Sequence, residues 1–431
     1  MNRLFTKVLS VFIILTAVCA LPSAAQESKY KMHVKGDLVY RGQYPYTIRA
    51  VEAQIFGEYS VPLEDRIIAL NRIAQFGGTA PTFDLLTYSD TGESLNPETV
   101  NGILGIMGDV QWRSMIFVIR VLPKELRKDE KFNKTAIRTA AEAFKKESRV
   151  VYVIDGDDSE ALCKEFHKVN KDAVIIAPKG GDIDLVQSWP AETKRPTMLF
   201  NAVPPNPLDD RAHCIFPDTP ETLARLDEGL MTPEEKQPWT PDNSMLTEQE
   251  RADGWISLFD GKSLNGWFIV GANKNGFAAK DGMLIWNERG GASLRTVKRY
   301  DNYILKCEWK INKGGNNGIH LRAPRAGRSS KIGMEYQIMG DYGAPISNDI
   351  TGCVYDVVEP MVAAGKPDGE WNETEIILDG SHLTFKLNGQ TTVDLNMDEH
   401  PELKYRIRTG FICITDHSHP AWFRNIKLKQ L

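Results

Sequence analysis

The chain has 431 residues, 42% apolar and 25% charged, with 57 acidic against 52 basic side chains and a net charge of −5. That length asks for two domains with real cores. The mild negative balance, with no basic cluster beyond the N-terminus, argues against nucleic acid or an anionic membrane as the main partner.

Residues 1–25 read as a signal peptide. Arg3 and Lys7 form the positive start, the apolar run over 8–21 is short for a membrane span, and Ser23-Ala24-Ala25 offers small residues before cleavage. The mature chain is therefore expected in the periplasm or outside, without a transmembrane span. Cys19 is a poorer candidate for lipid attachment, because Val18 stands where a lipoprotein signal wants a small residue. Removing the leader leaves Cys163, Cys214, Cys307, Cys353 and Cys413, an odd set without a CxxC pair. Buried thiols are expected rather than a disulfide framework, with a Cys163–Cys214 bridge as the alternative.

Residues 26–232 form the first domain. After a polar lead, amphipathic helices are expected over 63–76, 97–107, 135–146 and 159–169, the first stopped by Gly77-Gly78. Strands are expected over 82–88, 114–122, 150–154, 173–177 and 196–200. Continuous β-branched runs between amphipathic helices imply a parallel sheet covered on both faces, hence an α/β three-layer domain of Rossmann-like or flavodoxin-like type over 45–232. Ligands of such folds sit beyond the strand carboxyl ends, here Asp155-Gly156-Asp157-Asp158, Lys179-Gly180-Gly181-Asp182 and Asn201. Asp157 and Asp158 are better explained as caps of the next helix. Neither GxGxxG nor GxxxxGK[ST] is present, which argues against a dinucleotide or nucleoside triphosphate. The domain reads as an accessory one with no assigned role.

Residues 233–252, rich in proline and charge, read as a linker. From residue 253 to 431 the texture changes to short alternating strands with hairpin turns at Lys280-Asp281-Gly282, Leu378-Asp379-Gly380 and Leu387-Asn388-Gly389. Many short strands at this spacing imply an antiparallel sandwich.

Several motifs follow in order within this segment: Gly254-Trp255 with Leu258-Phe259-Asp260-Gly261-Lys262 and Gly266-Trp267; Asn316-Asn317-Gly318-Ile319-His320-Leu321-Arg322; Glu335-Tyr336-Gln337-Ile338; Thr351-Gly352-Cys353-Val354-Tyr355; Gly369-Glu370-Trp371-Asn372; Leu387-Asn388-Gly389; and Asp416-His417 with Trp422-Phe423-Arg424-Asn425-Ile426. With them, residues 253–431 resemble the 3-keto-disaccharide hydrolase family, whose fold is the concanavalin A-like jelly roll. Three positions depart from that pattern: His320, where the family often has an apolar aromatic, Ser418, where it has glycine, and Met339-Gly340-Asp341, where an aspartate follows sooner.

The resemblance implies a glycoside whose C3 hydroxyl has become a ketone. The ketone acidifies the C2 hydrogen, so a base can remove it, the C1 substituent can leave, and water can add afterwards. Such a site needs a base near C2, an acid for the leaving oxygen and a positive group at the C3 oxygen. The base candidates are His417 and Glu335, with His320 third. Arg322, two residues from His320 and so on the same strand face, would hold the enolate oxygen or a sugar hydroxyl. Tyr355 and Gln337 would bind hydroxyls, Asp416 beside His417 is a further substrate-binding candidate, and Trp422 would stack on a sugar ring, with a place in the core as the competing reading. Arg424 is a further substrate-binding candidate, though pairing with a carboxylate competes with that role. Asp416, His417 and His419 are a candidate set for a divalent metal, and no other cofactor is expected. The partner expected is a small-molecule sugar. The rival function is a non-catalytic, lectin-like carbohydrate-binding module, and a third is a scaffold whose α/β domain recruits a protein.

Overall fold

The computed structural model describes residues 30–52, 62–187, 195–200, 202–204, 206, 207, 209–271, 276–286, 292–415, 417 and 419–431. The expected signal peptide, Asn201 and Asp416 lie outside the described residues.

Three short strands, β1 (Met32–Lys35), β2 (Leu38–Arg41) and β3 (Tyr44–Pro45), make an antiparallel sheet. Eight strands then follow in chain order: β4 (Arg49–Glu52), β5 (Ala80–Leu85), β6 (Phe117–Val121), β7 (Val150–Val153), β8 (Val174–Ala177), β9 (Ile183–Val186), β10 (Thr197–Phe200) and β11 (Ala212–Pro217). Each pairs in parallel with the next, and β11 pairs in parallel with β4, so the sheet closes into a barrel. The parallel strands and their helices agree with the expectation; the open three-layer arrangement does not. An apolar strand buried on both faces looks alike in an open sheet and a barrel. Closure depends on β4, β9 and β11, whose polar residues Arg49, Asp184 and His213 hide them from a search for apolar runs.

Alternation along the barrel strands assigns the two faces. Ala50, Ala80, Val118, Val151, Val153 and Ile176 fill the lumen, and Met32 and Val39 of the first hairpin pack on that same cluster. Val51, Phe83, Phe117, Ile119 and Tyr152 point outward. Against them pack the helices α1 (Leu63–Gln75), α2 (Pro97–Trp112), α3 (Glu130–Phe144), α4 (Ser159–Val169) and α5 (Pro220–Gly229). The starts are capped as the residues dictate: Asn96 accepts from the Glu98 amide at 2.8 Å ahead of Pro97, and Asp129 accepts from the Phe132 amide at 2.8 Å. Asp158 occupies the N-cap of α4 without a side-chain cap bond. Its carboxylate is instead paired with Arg127.

The segment read as a linker is packed structure. It contains α6 (Pro233–Lys236) and α7 (Glu248–Ala252), each opened by a capping box. The Trp239 ring packs on the second domain and leaves no room for a side chain at Gly266.

The second domain is an antiparallel sandwich of the expected jelly-roll type. Its strands are β12 (Trp255–Ser257), β13 (Trp267–Gly271), β14 (Phe277–Lys280), β15 (Met283–Trp286), β16 (Ala292–Tyr300), β17 (Tyr303–Ile311), β18 (Asn316–Ala323), β19 (Met334–Met339), β20 (Asn372–Asp379), β21 (His382–Leu387), β22 (Gln390–Asn396), β23 (Gly410–Ile414) and β24 (Ala421–Gln430). One sheet has eight strands, in the order β14-β15-β24-β17-β20-β21-β22 with β12 also on β24; the other has five, β13-β16-β23-β18-β19. Leu294, Ile319, Tyr336 and Ile414 of the smaller sheet meet Leu305, Trp309, Phe385 and Phe423 of the larger in one core.

The two domains share contacts that a flexible tether would not allow. Ile332 and Ile407 of the sandwich belong to the barrel's outer core. The last carbonyls of a helix lack partners within it. At the end of α1 the Ala74 oxygen accepts from the Gly77 amide at 3.1 Å and also, across the domains, from Ala326 N–H at 3.0 Å, while Arg325 N–H bonds the Gln75 oxygen at 3.3 Å. The five cysteines described are buried and free, so Cys163 and Cys214 are not bridged. Among the described residues, no helix is long and apolar enough to cross a membrane.

Candidate active site

The candidate site lies on the face of the five-stranded sheet turned away from the sandwich core. On β18 and β19, Ile319, Leu321, Tyr336 and Ile338 point into the core. Strand alternation therefore turns Gly318, His320, Glu335 and Gln337 to the other side. The register pairs His320 with Glu335 and Gly318 with Gln337.

Glu335 is only 4% exposed and Gln337 only 2%, so this carboxylate does not belong to a solvated sheet face. His320 Nε2 lies 3.3 Å from Glu335 Oε2. Burial opposes a charge on His320, but the Glu335 carboxylate and a hydrogen bond with Cys413 outweigh it and lift the imidazole to about 9. His320 therefore stands as an imidazolium at neutral pH. Gly318 is glycine for a local reason: a Cβ there would run into Glu335 Oε1.

The segment after β19 folds back along its free edge. Val354 bridges Tyr336, and the Tyr355 amide donates to the Glu335 carbonyl at 3.0 Å. Asp341 fastens this return by accepting from the Thr351 amide at 2.8 Å and hydroxyl at 2.9 Å. The departure at Met339-Gly340-Asp341 is thus a structural clasp. Tyr355 is half-buried, and burial raises its phenol pKa. Gln337 Nε2 donates to the Asp349 carbonyl at 3.3 Å, which helps fix the same loop. His417 is exposed and lies two residues past Thr415, whose amide donates to the Gly318 carbonyl at 3.0 Å. That contact brings the end of β23 alongside the His320–Glu335 strands. His419 is exposed as well.

Three sequence candidates go elsewhere. Arg322 was expected to share a face with His320. Its φ of 50° and the register shift between His320 and Ala323 break the alternation. Its guanidinium is buried against the Asp301 carbonyl at 2.9 Å and Asn302 Oδ1 at 3.1 Å. Trp422 and Arg424 are on β24 of the other sheet, facing away from the core residue Phe423. Trp422 lies under Lys310 Nζ at 5.0 Å. Arg424 pairs with Glu308 at 2.6 Å and stacks on Trp371 at 4.0 Å. The carboxylate-pairing role is the one realised.

Cys413, beside the pair, and Lys331, on the short helix between β18 and β19, were not singled out from the sequence. Cys413 lies opposite His320 on β23, and its parity against Ile412 and Ile414 was the available signal. Lys331, on α8 (Ser329–Ile332), is 2% exposed and bonds Asp356 Oδ2 at 2.7 Å. Burial lowers its pKa against the pull of Asp356. Nothing in its local sequence marks it.

Among the described residues, no three His, Cys, Asp or Glu side chains are placed to hold a metal. Asp416, one of the three metal candidates, is outside the described residues.

Residues 254–429 match the family model described as the 3-keto-alpha-glucoside-1,2-lyase-like domain. A curated 3-keto-disaccharide hydrolase of Bacteroides thetaiotaomicron is 28% identical over 231 aligned residues, covering 42% of this chain and 79% of that protein. Two solved Parabacteroides distasonis proteins, each described as a candidate glycosyl hydrolase, are also similar. One is 28% identical, covers 43% of this chain and 98% of its own, and has a TM-score of 0.39. The other is 24% identical over 41% and 99%, with a TM-score of 0.37.

Proposed function

We propose that the chain is an exported enzyme that breaks the glycosidic bond of 3-keto-glycosides, with the outer face of the five-stranded sheet as its active site. The match over 254–429 and the name of the curated relative support a hydrolase acting on such sugars. The observation that carries the reading is the buried His320–Glu335 pair, 3.3 Å apart. Simple carbohydrate binding has no need of a sequestered acid–base pair. Export rests on the leader at 1–25.

Glu335 takes the C2 proton, and the electrons of that bond form the C1–C2 double bond as the C1 oxygen leaves with its own pair. His320, held as imidazolium, stabilises the negative charge that gathers on the C3 oxygen. This places His320 in the electrophilic role and leaves Glu335 as the base. His417 supplies a proton to the leaving oxygen, and Gln337 and Tyr355 orient hydroxyls. Glu335 then returns its proton to C2 while a water adds its hydroxyl to C1 and its remaining proton to His417, which completes a net hydrolysis and restores both side chains. No oxocarbenium ion is required, in contrast to ordinary glycosidases.

The test is turnover of a 3-keto-glucoside beside its unoxidised parent, with and without chelator. Cleavage of the keto compound alone supports the proposal. Cleavage of the parent sinks it in favour of ordinary glycoside hydrolysis, and binding of either without cleavage sinks it in favour of a lectin. Chelator sensitivity would show that a metal takes part.

A further inference from the structure

At the carboxyl end of the barrel the lumen stops being apolar. Ala50, Ala80 and Val118 face inward on β4, β5 and β6. Two residues further along those strands, on the same face, stand Glu52, Thr82 and Arg120, with Asp84 one step beyond Thr82. Arg120 pairs with Glu52 and, through Nε at 2.8 Å, with Asp84. Its guanidinium lies 5.4 Å from the Phe200 ring at the end of β10. Asp155, just past β7, adds a third carboxylate, and burial raises the pKa of both Glu52 and Asp155.

Thr82 is the independent sign of a ligand. It is only 6% exposed, it pairs in register with Glu52, and its hydroxyl has no hydrogen-bond partner. A buried hydroxyl left without a partner is destabilising. Valine has nearly the same shape without that cost and fills the adjoining register position, Val118. A threonine kept beside Glu52, under Asp84 and Arg120, has a bond to make with something that enters the mouth.

We propose that the carboxyl-end mouth of this barrel binds a neutral polyol of monosaccharide size. Carboxylates and a guanidinium at one mouth present acceptors and donors for neighbouring hydroxyls, and Phe200 offers an apolar face to the carbon skeleton. Glu52 and Asp84 on Arg120, with Asp155 held by Arg127 at 3.0 Å, leave neither guanidinium free of a carboxylate, which disfavours a phosphate. Among the described residues no three are placed to hold a metal. In parallel barrels the carboxyl-end face is where binding groups collect. The site is separate from the sandwich face, and its test does not depend on the activity proposed there.

The experiment follows methyl NMR signals of Val153 and Ile176, the lumen residues in register with Arg120. The full mature chain is titrated with D-glucose, D-xylose and myo-inositol, and separately with inorganic phosphate and magnesium chloride. Saturable shifts with a sugar or inositol are expected, weakened at least about fivefold in Thr82→Val, the equivalent of one hydrogen bond. Thr82→Val should also melt no lower than the parent, and Asp84→Asn should weaken the same titration. Absence of shifts with all three polyols, saturation by phosphate or magnesium instead, or unchanged affinity in Thr82→Val each overturns the proposal.

Discussion

His320 and Glu335 face each other across β18 and β19, Nε2 3.3 Å from Oε2, on the side of the sheet turned away from the sandwich core. Glu335→Gln keeps the shape and removes the base. Turnover of a 3-keto-glucoside should fall by roughly 10²–10⁴-fold, the usual worth of a positioned general base. Circular dichroism and melting should show the variant folded. Activity within tenfold of the parent would remove Glu335 from the mechanism.

The same pair makes stability depend on pH. His320 binds its proton more tightly folded, at about 9, than at the ordinary 6.5. Its contribution is therefore complete below about 6.5 and is lost as pH rises towards 9. Melting temperature followed from pH 6 to pH 9.5 should decline across that window, and the decline should flatten in His320→Gln. In Glu335→Gln, burial acts on the imidazole without its counter-charge and only the Cys413 contacts still oppose it, so NMR titration should find His320 well below about 9.

Gly318 offers a subtler probe. A methyl at this position meets Glu335 Oε1, Cδ and Cγ, all on the mobile end of a side chain. Gly318→Ala should cost little in melting temperature yet lower kcat by tenfold or more, because the carboxylate must swing away from its place beside His320. Equal losses in stability and kcat would mean that the glycine serves the backbone instead.

Arg325 joins the domains. It pairs with Asp227 and grips Glu235 through two nitrogens, at 3.0 and 2.7 Å, with Phe411 beneath it at 5.2 Å. Breaking a buried pair strands its partners. Arg325→Met should therefore lower stability by roughly 3–5 kcal/mol and separate the barrel and sandwich transitions in calorimetry. An unchanged single transition would show that the apolar contacts of Ile332 and Ile407 suffice.

Trp422 and Arg424 supply the converse. Both lie on the sheet opposite the candidate site, so Trp422→Leu and Arg424→Gln should leave kcat/KM within twofold. The half-exposed Arg424–Glu308 pair should contribute no more than about 1 kcal/mol. A large loss of turnover in either variant would move the active site to the other sheet.

Much of this protein is written locally. Strand alternation, turn residues and helix caps act over a few positions, and from them the sequence alone specified an α/β domain with parallel strands, an antiparallel sandwich after residue 253, and free buried cysteines. The same locality put Glu335 and Gln337 on one face of their strand, since a regular strand leaves no choice; that His320 shares that face follows from the register of β18 on β19. The long-range decisions were different. Whether the parallel sheet stays open or closes depends on β11 meeting β4, a pairing between residues 49–52 and 214–217 that no local pattern encodes. The proline-rich stretch at 233–252 reads as a tether by composition, but Trp239, Glu235 and Glu250 dock it onto the sandwich. Arg322 turned away because one bulge reverses the parity of every residue after it, and a bulge is set by the neighbouring strand. Chemistry-bearing residue types are visible in a sequence; which of them share a face, and at what charge, is decided by the strands they lie beside and the water those strands exclude.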